Sequence, residues 1–218
     1  MPRTLTRDRS IFFIPGQGGI TFHPNTAAVT ITFPVGSTGR TGLHWHETHT
    51  EFLSVLQGVA LITLGTVTET FGPTDGTITI PRFTHHEYRR ADSAEAGTDG
   101  RDVNLTVKEW TEPADGQKQV FFRNVLGIIE DRAGETLLWN LWTLWQLFVV
   151  FAGNDNYPLV LPAPATLGPL KPAVERYFTY VVLQISLVLG GFVGLRSRYP
   201  EYTPTKQSSS VSDDAYIA

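Results

Sequence analysis

The stretch HWHETHTE at residues 44–51 holds three histidines and two glutamates, in a chain that has only six histidines. His44 and His46 are two residues apart, so on a β-strand both imidazoles point to one face and can reach a common point. Glu51 opens the next strand-like run, and His86 follows in IPRFTHHEY. Because imidazole and carboxylate groups are ligands for transition metals, a metal site is the first hypothesis. A polar surface loop or accidental crowding are the alternatives.

The composition restricts the kind of site. The 218-residue chain has no cysteine, which excludes disulfides, thiolate zinc sites, iron–sulfur clusters and cysteine nucleophiles. Any metal must therefore be bound through nitrogen and oxygen atoms. A formal net charge of −4 argues against general nucleic-acid binding. The charged N-terminal segment lacks the apolar core of a secretory signal. We therefore expect a cytoplasmic protein, or one on the cytosolic face of an intracellular membrane, and not a secreted one.

The elements that would position these side chains are short β-strands. From residue 11 to about 112, runs such as AAVTITF, EFLSVLQG and VNLTVKEW alternate with turns rich in Gly, Pro, Asp and Ser. This spacing is typical of an all-β sandwich or barrel. GQGG at residues 16–19 precedes no helical pattern, so it is interpreted as a tight turn and not as a phosphate-binding loop.

The spacing of these residues resembles the first motif of the cupin superfamily. That motif is HxH, three or four residues, Glu, six residues and Gly, and it is matched by His44, His46, Glu51 and Gly58. The second motif is matched by Pro81 and His86, with two departures. Asp75-Gly76 stands where Gly-Asp is usual, and Phe83 replaces a glycine.

The resemblance covers about half of the chain and implies a specific architecture. We expect a mainly β protein with a cupin jelly-roll barrel at residues 10–116. His44, His46, Glu51 and His86 would bind one divalent transition metal inside it. Three imidazoles and one carboxylate suit Fe, which we place first, and also Mn, Ni, Cu or Zn. The four ligands would leave one or two coordination positions open.

Other side chains near the motifs receive expectations of their own. Phe52, Phe83, Tyr88 and Phe22 are the candidates for the substrate wall, which suits a neutral or weakly polar organic molecule. His49 is expected to be solvated or at the mouth of the barrel, and Trp45 should pack on the face opposite to the ligands. His85 should alternate away from His86 and face outward, although an exchange of roles between these two histidines is an alternative. Glu47 is interpreted as a solvated charge or as a partner of a ligand.

The C-terminal half has a different character. Apolar residues at helical spacing predict a helix in QVFFRNVLGIIEDR, and the apolar stretches 136–154 and 177–195 predict two more. We expect a helical extension at 117–199 and a flexible polar tail at 200–218. Each stretch is just long enough to cross a bilayer, and Ser186, Gly190 and Gly194 have the small-residue spacing of paired membrane helices. A membrane hairpin is slightly favoured. The alternative is a buried helical pair that covers the barrel or forms a homodimer interface.

Three functions are compatible with these features. The first is a mononuclear metal-dependent oxidoreductase or oxygenase acting on a small organic substrate. A weaker resemblance, in the layout and in phrases such as FFRNVLG and RYPEYTP, is to fungal cupin-domain oxidoreductases of polyketide and salicylaldehyde biosynthetic clusters. The second is a non-redox metal-dependent isomerase, dehydratase or cyclase. The third is a non-catalytic cupin binding module.

Overall fold

The structure is a computed structural model that describes residues 3–92, 102–132 and 136–204. Within these ranges it contains two antiparallel sheets and three α-helices, so the prediction of a mainly β protein with a helical C-terminal part is confirmed. The strands are β1 (Ile11–Ile14), β2 (Gly18–Phe22), β3 (Val29–Phe33), β4 (His44–Trp45), β5 (Thr50–Gln57), β6 (Ala60–Leu64), β7 (Val67–Phe71), β8 (Thr77–Ile80), β9 (His86–Arg90), β10 (Leu105–Glu112) and β11 (Tyr157–Pro158).

The two sheets face each other across the core. The first has the strand order β1-β2-β3-β10-β5-β8, and the second has the order β11-β4-β9-β6-β7. Burial alternates along the strands, as a sheet with one covered face requires. In β10, for example, Leu105, Val107, Glu109 and Thr111 are buried while the residues between them are more exposed. The inward side chains are largely apolar, apart from a cluster of polar and charged residues around β4, β5 and β9.

Three helices follow the last long strand: α1 (Gln117–Glu130), α2 (Leu137–Ala152) and α3 (Lys171–Phe192). The C-terminal part also completes the second sheet, because β11 pairs with β4. The predicted boundary near residue 116 thus falls between β10 and α1, but the two parts share a sheet and pack together. Lys118 of α1 contacts Glu51, and Asp155 of the connection after α2 contacts His49.

The helices α2 and α3 lie side by side and run parallel. Trp145 donates a hydrogen bond to the carbonyl of Ser186 at 3.1 Å. One turn further along both helices, Gly190 lies against Val149, where an added Cβ would be 2.7 Å from the valine side chain. The predicted small-residue spacing therefore serves close helix packing within one chain.

The membrane hairpin favoured above is not what the structure shows. A hairpin requires antiparallel helices, whereas α2 and α3 are parallel and are joined by the long connection 153–170. The third helix also begins with charged residues, since it includes Lys171, Glu175 and Arg176. Among the described residues, no helix combines the length and the apolar character needed to cross a membrane.

The start of the predicted flexible tail is packed against the body of the protein. Tyr202 is fully buried, and its ring occupies the space above Gly127 of α1. The carbonyl of Glu201 accepts hydrogen bonds from the backbone of Thr6 and Arg7. The prediction of a loose tail is therefore wrong for residues 200–204, and residues 205–218 lie outside the described part of the chain.

Candidate metal centre

The four predicted ligands are brought together between the two sheets. His44 on β4 and His86 on β9 are direct cross-strand partners, and Glu51 points inward from β5 of the facing sheet. One nitrogen or oxygen atom from each of His44, His46, Glu51 and His86 lies within 4.8 Å of the others. All four side chains are buried, with His86 and Glu51 only 1% exposed.

Backbone carbonyls fix the orientation of the three imidazoles. The Nδ1 atoms of His44, His46 and His86 lie 2.7, 2.5 and 2.8 Å from the carbonyl oxygens of Gly42, Asp155 and Thr84. A carbonyl only accepts, so each Nδ1 carries the proton and each neutral ring keeps its lone pair on Nε2. Metal-bound histidines commonly donate the other ring N–H to a carbonyl oxygen in this way.

The converging atoms fit a cation between them. Nε2 of His46 lies 2.7 Å from Oε2 of Glu51, and Nε2 of His86 lies 3.5 Å from the same oxygen. Either a proton or a metal cation between these atoms would satisfy the Nε2 lone pair and the carboxylate. Nε2 of His86 and Oε1 of Glu51 are buried without a hydrogen-bond partner. Burial lowers the pKa of His44 well below its ordinary value, and the neighbouring His86 and His46 add to the shift. The neutral form that binds metals is thus favoured.

A buried lysine joins the cluster from α1. Nζ of Lys118 lies 2.5 Å from Oε2 of Glu51 and 2.5 Å from Oε1 of Glu109, and the hydroxyl of Tyr88 donates to Glu109 at 2.7 Å. Burial alone would lower the pKa of Lys118, but the two carboxylates raise it above its usual value. Burial alone would raise the pKa of Glu51, but the Lys118 ammonium group holds it well below its usual range.

The charges of this network suit a divalent cation. Glu51 and Glu109 carry two negative charges and Lys118 one positive charge, so the buried set has a net charge of −1. A divalent ion bound to the cluster would bring the total to +1. Such a site can bind and stabilise an anionic oxygen of a substrate.

Two residues of the motifs, Phe83 and Gly58, have a left-handed backbone conformation. Phe83, in place of the usual glycine, adopts the left-handed φ of 65° that a glycine would take without strain. Its N–H donates to the carbonyl of His46 at 2.7 Å, which ties the two ligand loops together. Gly58 has a φ of 76°, and a Cβ there would meet the Asn104 carbonyl at 2.5 Å. The loop that contains Phe83 brings His86, and not His85, to the cluster.

His85 and Trp45 lie on the other side of the sheet. Trp45 is fully buried there, between the rings of His85 at 4.8 Å and Tyr157 at 5.6 Å, so its predicted orientation is confirmed. His85 faces away from the ligands, as expected, but α3 covers it, with Glu175 3.8 Å away. Glu47 accepts a hydrogen bond from the Trp45 indole at 3.3 Å.

Most of the predicted substrate wall is wrong. Phe52 points to the outer face of β5 and stacks on Trp110 at 5.6 Å, because it is adjacent to the inward-facing Glu51. Phe83 is 48% exposed and lies below the guanidinium of Arg176. Tyr88 and Phe22 are inside the barrel, but both belong to its packed core. The Tyr88 hydroxyl reaches the site through Glu109.

The cavity beside the cluster is small. It has a volume of about 10 Å³, enough for about one water molecule. It is lined by His46, His49, Thr111, Gln117, Lys118, Phe121, Asn154, Asp155 and Asn156. His49 lines this cavity, in agreement with the expectation that it lies at the mouth. Its side chain is buried, so the alternative expectation of a solvated residue is wrong.

Sequence reasoning missed the two residues that connect this cavity to the helical part. Lys118 is one of two buried cations on α1, with Arg123, and a buried charge usually has a partner, but the sequence does not say which residue that partner is. Asp155, whose carboxylate binds His49 at 2.6 Å, follows an apolar stretch in the sequence NDN and offers no comparable signal. Its contacts with the first ligand loop span more than one hundred residues.

The barrel is similar, at low sequence identity, to several solved structures. No family model and no curated protein matches the sequence. Among solved structures, the barrel is similar to the capsular polysaccharide assembling protein CapF from Staphylococcus aureus, with 17% identity and a TM-score of 0.37 over 48% of this chain and 29% of CapF. It is also similar to an RmlC-like cupin from Shewanella frigidimarina, with 17% identity and a TM-score of 0.35 over 46% of this chain and 81% of that one. For KdgF from a Halomonas species the values are 21% and 0.32, over 44% and 81%.

The barrel has the cupin fold. Two facing antiparallel sheets with the ligand cluster between them confirm the fold that the motifs predicted. The similarities concern the fold alone, and this chain spans less than a third of the length of CapF. The activity must therefore be argued from the site itself.

Proposed function

We propose that the protein is a metal-dependent enzyme that acts on a small organic molecule. One divalent transition metal would be held by His44, His46, Glu51 and His86. The observation that supports this most strongly is the convergence of three Nε2 atoms, each fixed by a carbonyl behind its ring, on a buried carboxylate.

When bound, the metal supplies a Lewis acid and, if it is iron, a centre for one-electron chemistry with oxygen. The chain's own residues bind and orient the substrate. Lys118 has three N–H donors and gives two of them to Glu51 and Glu109, which leaves the third for an oxygen in the cavity. Gln117 and Asn156 add amide groups to the wall. Because the cavity has room for about one water molecule, these donors suit a single oxygen atom of a substrate that reaches the site.

Oxidoreductase or oxygenase chemistry is our first proposal for the reaction. The alternative is non-redox isomerisation, dehydration or cyclisation, supported by the net positive charge that a divalent metal would create beside Lys118. The residues that line the cavity do not identify a polyketide-derived substrate, so the proposed substrate class stays a small organic molecule.

Anaerobic reconstitution with Fe²⁺, Mn²⁺ or Zn²⁺ tests these proposals. For an oxygenase we expect oxygen uptake by the Fe²⁺-loaded protein when small hydroxy- or oxo-acids are supplied. A non-redox enzyme would consume no oxygen and would change the same compounds with Zn²⁺ or Mn²⁺ bound. If no metal binds in any of the three reconstitutions, the enzyme proposal fails and a binding module becomes the better hypothesis.

A further inference from the structure

The segment that connects α2 to β11 binds the loop between His46 and Glu51 through hydrogen bonds to Asp155. Asp155 accepts hydrogen bonds from the backbone N–H groups of Glu47 at 2.9 Å, Thr48 at 3.1 Å and His49 at 3.1 Å, and from Nδ1 of His49 at 2.6 Å. Its backbone carbonyl accepts the hydrogen bond from Nδ1 of His46 at 2.5 Å. One residue therefore holds both the loop and the ring of a ligand.

Three successive N–H groups around one carboxylate form an anion-binding turn built within the protein. The backbone of Asp155 has a φ of 47°, a conformation that is uncommon outside glycine and that surrounding contacts must hold in place. The preceding residue supplies such contacts. Asn154 donates to the carbonyls of Val150 in α2 and Ser197 after α3, at 2.8 and 3.0 Å. The position of Asp155 is thus fixed by contacts to the helical part of the chain.

We infer that Asp155 is a positioning residue for the metal centre. It directs Nε2 of His46 toward Glu51 and fixes the backbone conformation of the turn that separates these two ligands. The helical C-terminal part then determines the affinity of a centre whose ligands all lie in the barrel. This inference rests on the proposed metal-dependent function.

Two substitutions separate the carboxylate from the backbone conformation. Asp155→Asn keeps the size and the tolerance for a left-handed φ, but it turns an amide N–H₂ toward backbone donors. Asp155→Gly accepts the same φ and retains the carbonyl behind His46 while removing the carboxylate. Asp115→Asn is the matched control. Asp115 is also hydrogen-bonded to His49, through Nε2 of the ring at 3.3 Å, but its side chain is 47% exposed and the backbone N–H groups of residues 47–49 donate to Asp155 instead.

The measurement is Co²⁺ binding by the full chain, with the dissociation constant from chelator competition and the visible spectrum at saturation. We expect both Asp155 variants to bind Co²⁺ about 10- to 100-fold more weakly, with altered ligand-field bands, and Asp115→Asn to stay within about threefold of the wild type. The spectrum at saturation reports ligand geometry, which a loss of general stability would not change.

Each other outcome has a defined meaning. If the wild type binds Co²⁺ and both Asp155 variants match its affinity and spectrum, the positioning role is refuted while the metal site stands. If the wild type binds no Co²⁺, the proposed function fails and this inference fails with it. If neither variant retains a cooperative unfolding transition, the inference is also overturned, because Asp155 would then hold the fold and not one ligand.

Discussion

Replacing Lys118 by methionine should destabilise the metal-free protein and make its stability strongly dependent on metal. The substitution replaces the aliphatic part of the side chain by one of similar length and removes the ammonium group, which is buried and contacts Glu51 and Glu109 at 2.5 Å each. The variant therefore leaves two buried carboxylates without their shared cation.

The size of the effect follows from these distances. At 2.5 Å and an effective dielectric constant of about 20, each contact is worth about 7 kcal/mol of Coulomb attraction. Desolvation of the ammonium group and the carboxylates cancels most of this. Loss of one partner of a buried ion pair costs about 3–5 kcal/mol net, and we expect this loss in the free energy of unfolding of the metal-free Lys118→Met variant.

A divalent metal should restore part of that loss. Metal at about 1,000 times its dissociation constant adds about 4 kcal/mol to the free energy of unfolding of the wild type. In the variant, Glu51 has no ammonium partner to compete with the metal. We therefore expect metal to stabilise the variant by more than it stabilises the wild type.

Urea unfolding with and without Zn²⁺ measures both effects. Lys108→Met is the matched control, because Lys108 lies on the outer face of the same strand as Glu109 and contacts only the ring of Trp110 among the interactions described for it, at 5.4 Å. Its cost should be about 0.5–1 kcal/mol. The reasoning is refuted if the two metal-free variants lose the same free energy, or if Zn²⁺ stabilises Lys118→Met no more than the wild type.

Three further predictions follow from other parts of the molecule. His86→Ala should lose bound metal and His85→Ala should retain it, as measured by elemental analysis; the reverse result would place the wrong histidine in the cluster. Gly127→Ala should lower the free energy of unfolding by about 1–3 kcal/mol, because its Cβ would lie 2.5 Å from the ring of Tyr202, and an unchanged urea midpoint would contradict that packing. Many apolar side chains are exposed on α2 and α3, among them Leu138 at 79% and Phe192 at 85%, so we predict a homodimer in sedimentation velocity. Phe192→Glu, at a side chain 85% exposed, should make it monomeric, and a monomeric wild type would refute this interface.

The ligand set was accessible from the sequence because its geometry is local. Two histidines at i and i+2 must share a strand face, and the gaps to Glu51 and His86 match a known motif. The same alternation should have placed Phe52 on the outside, since it follows Glu51 directly. The alternation of side chains along a strand was sufficient to place Phe52 correctly, but it was not applied to this residue.

The contacts from the helical part could not be predicted in the same way. Lys118 meets Glu51 across 67 residues, and Asp155 meets His46 across 109. No local pattern encodes such pairings, which depend on how α1 and α2 dock on the barrel. The parallel course of α2 and α3 is also a tertiary property. The apolar stretches predicted two helices, but their relative direction depends on the connection 153–170.

The most direct test of the central claim is the metal content of the purified full-length protein and of the His44→Ala/His46→Ala double variant. Both proteins would be measured by elemental analysis, with folding confirmed by circular dichroism. The account predicts about one transition metal per chain in the wild type and a near-complete loss in the folded double variant, since two of four ligands are gone. A folded double variant that retains its full metal content, or a wild type that takes up no metal even after reconstitution, would contradict it.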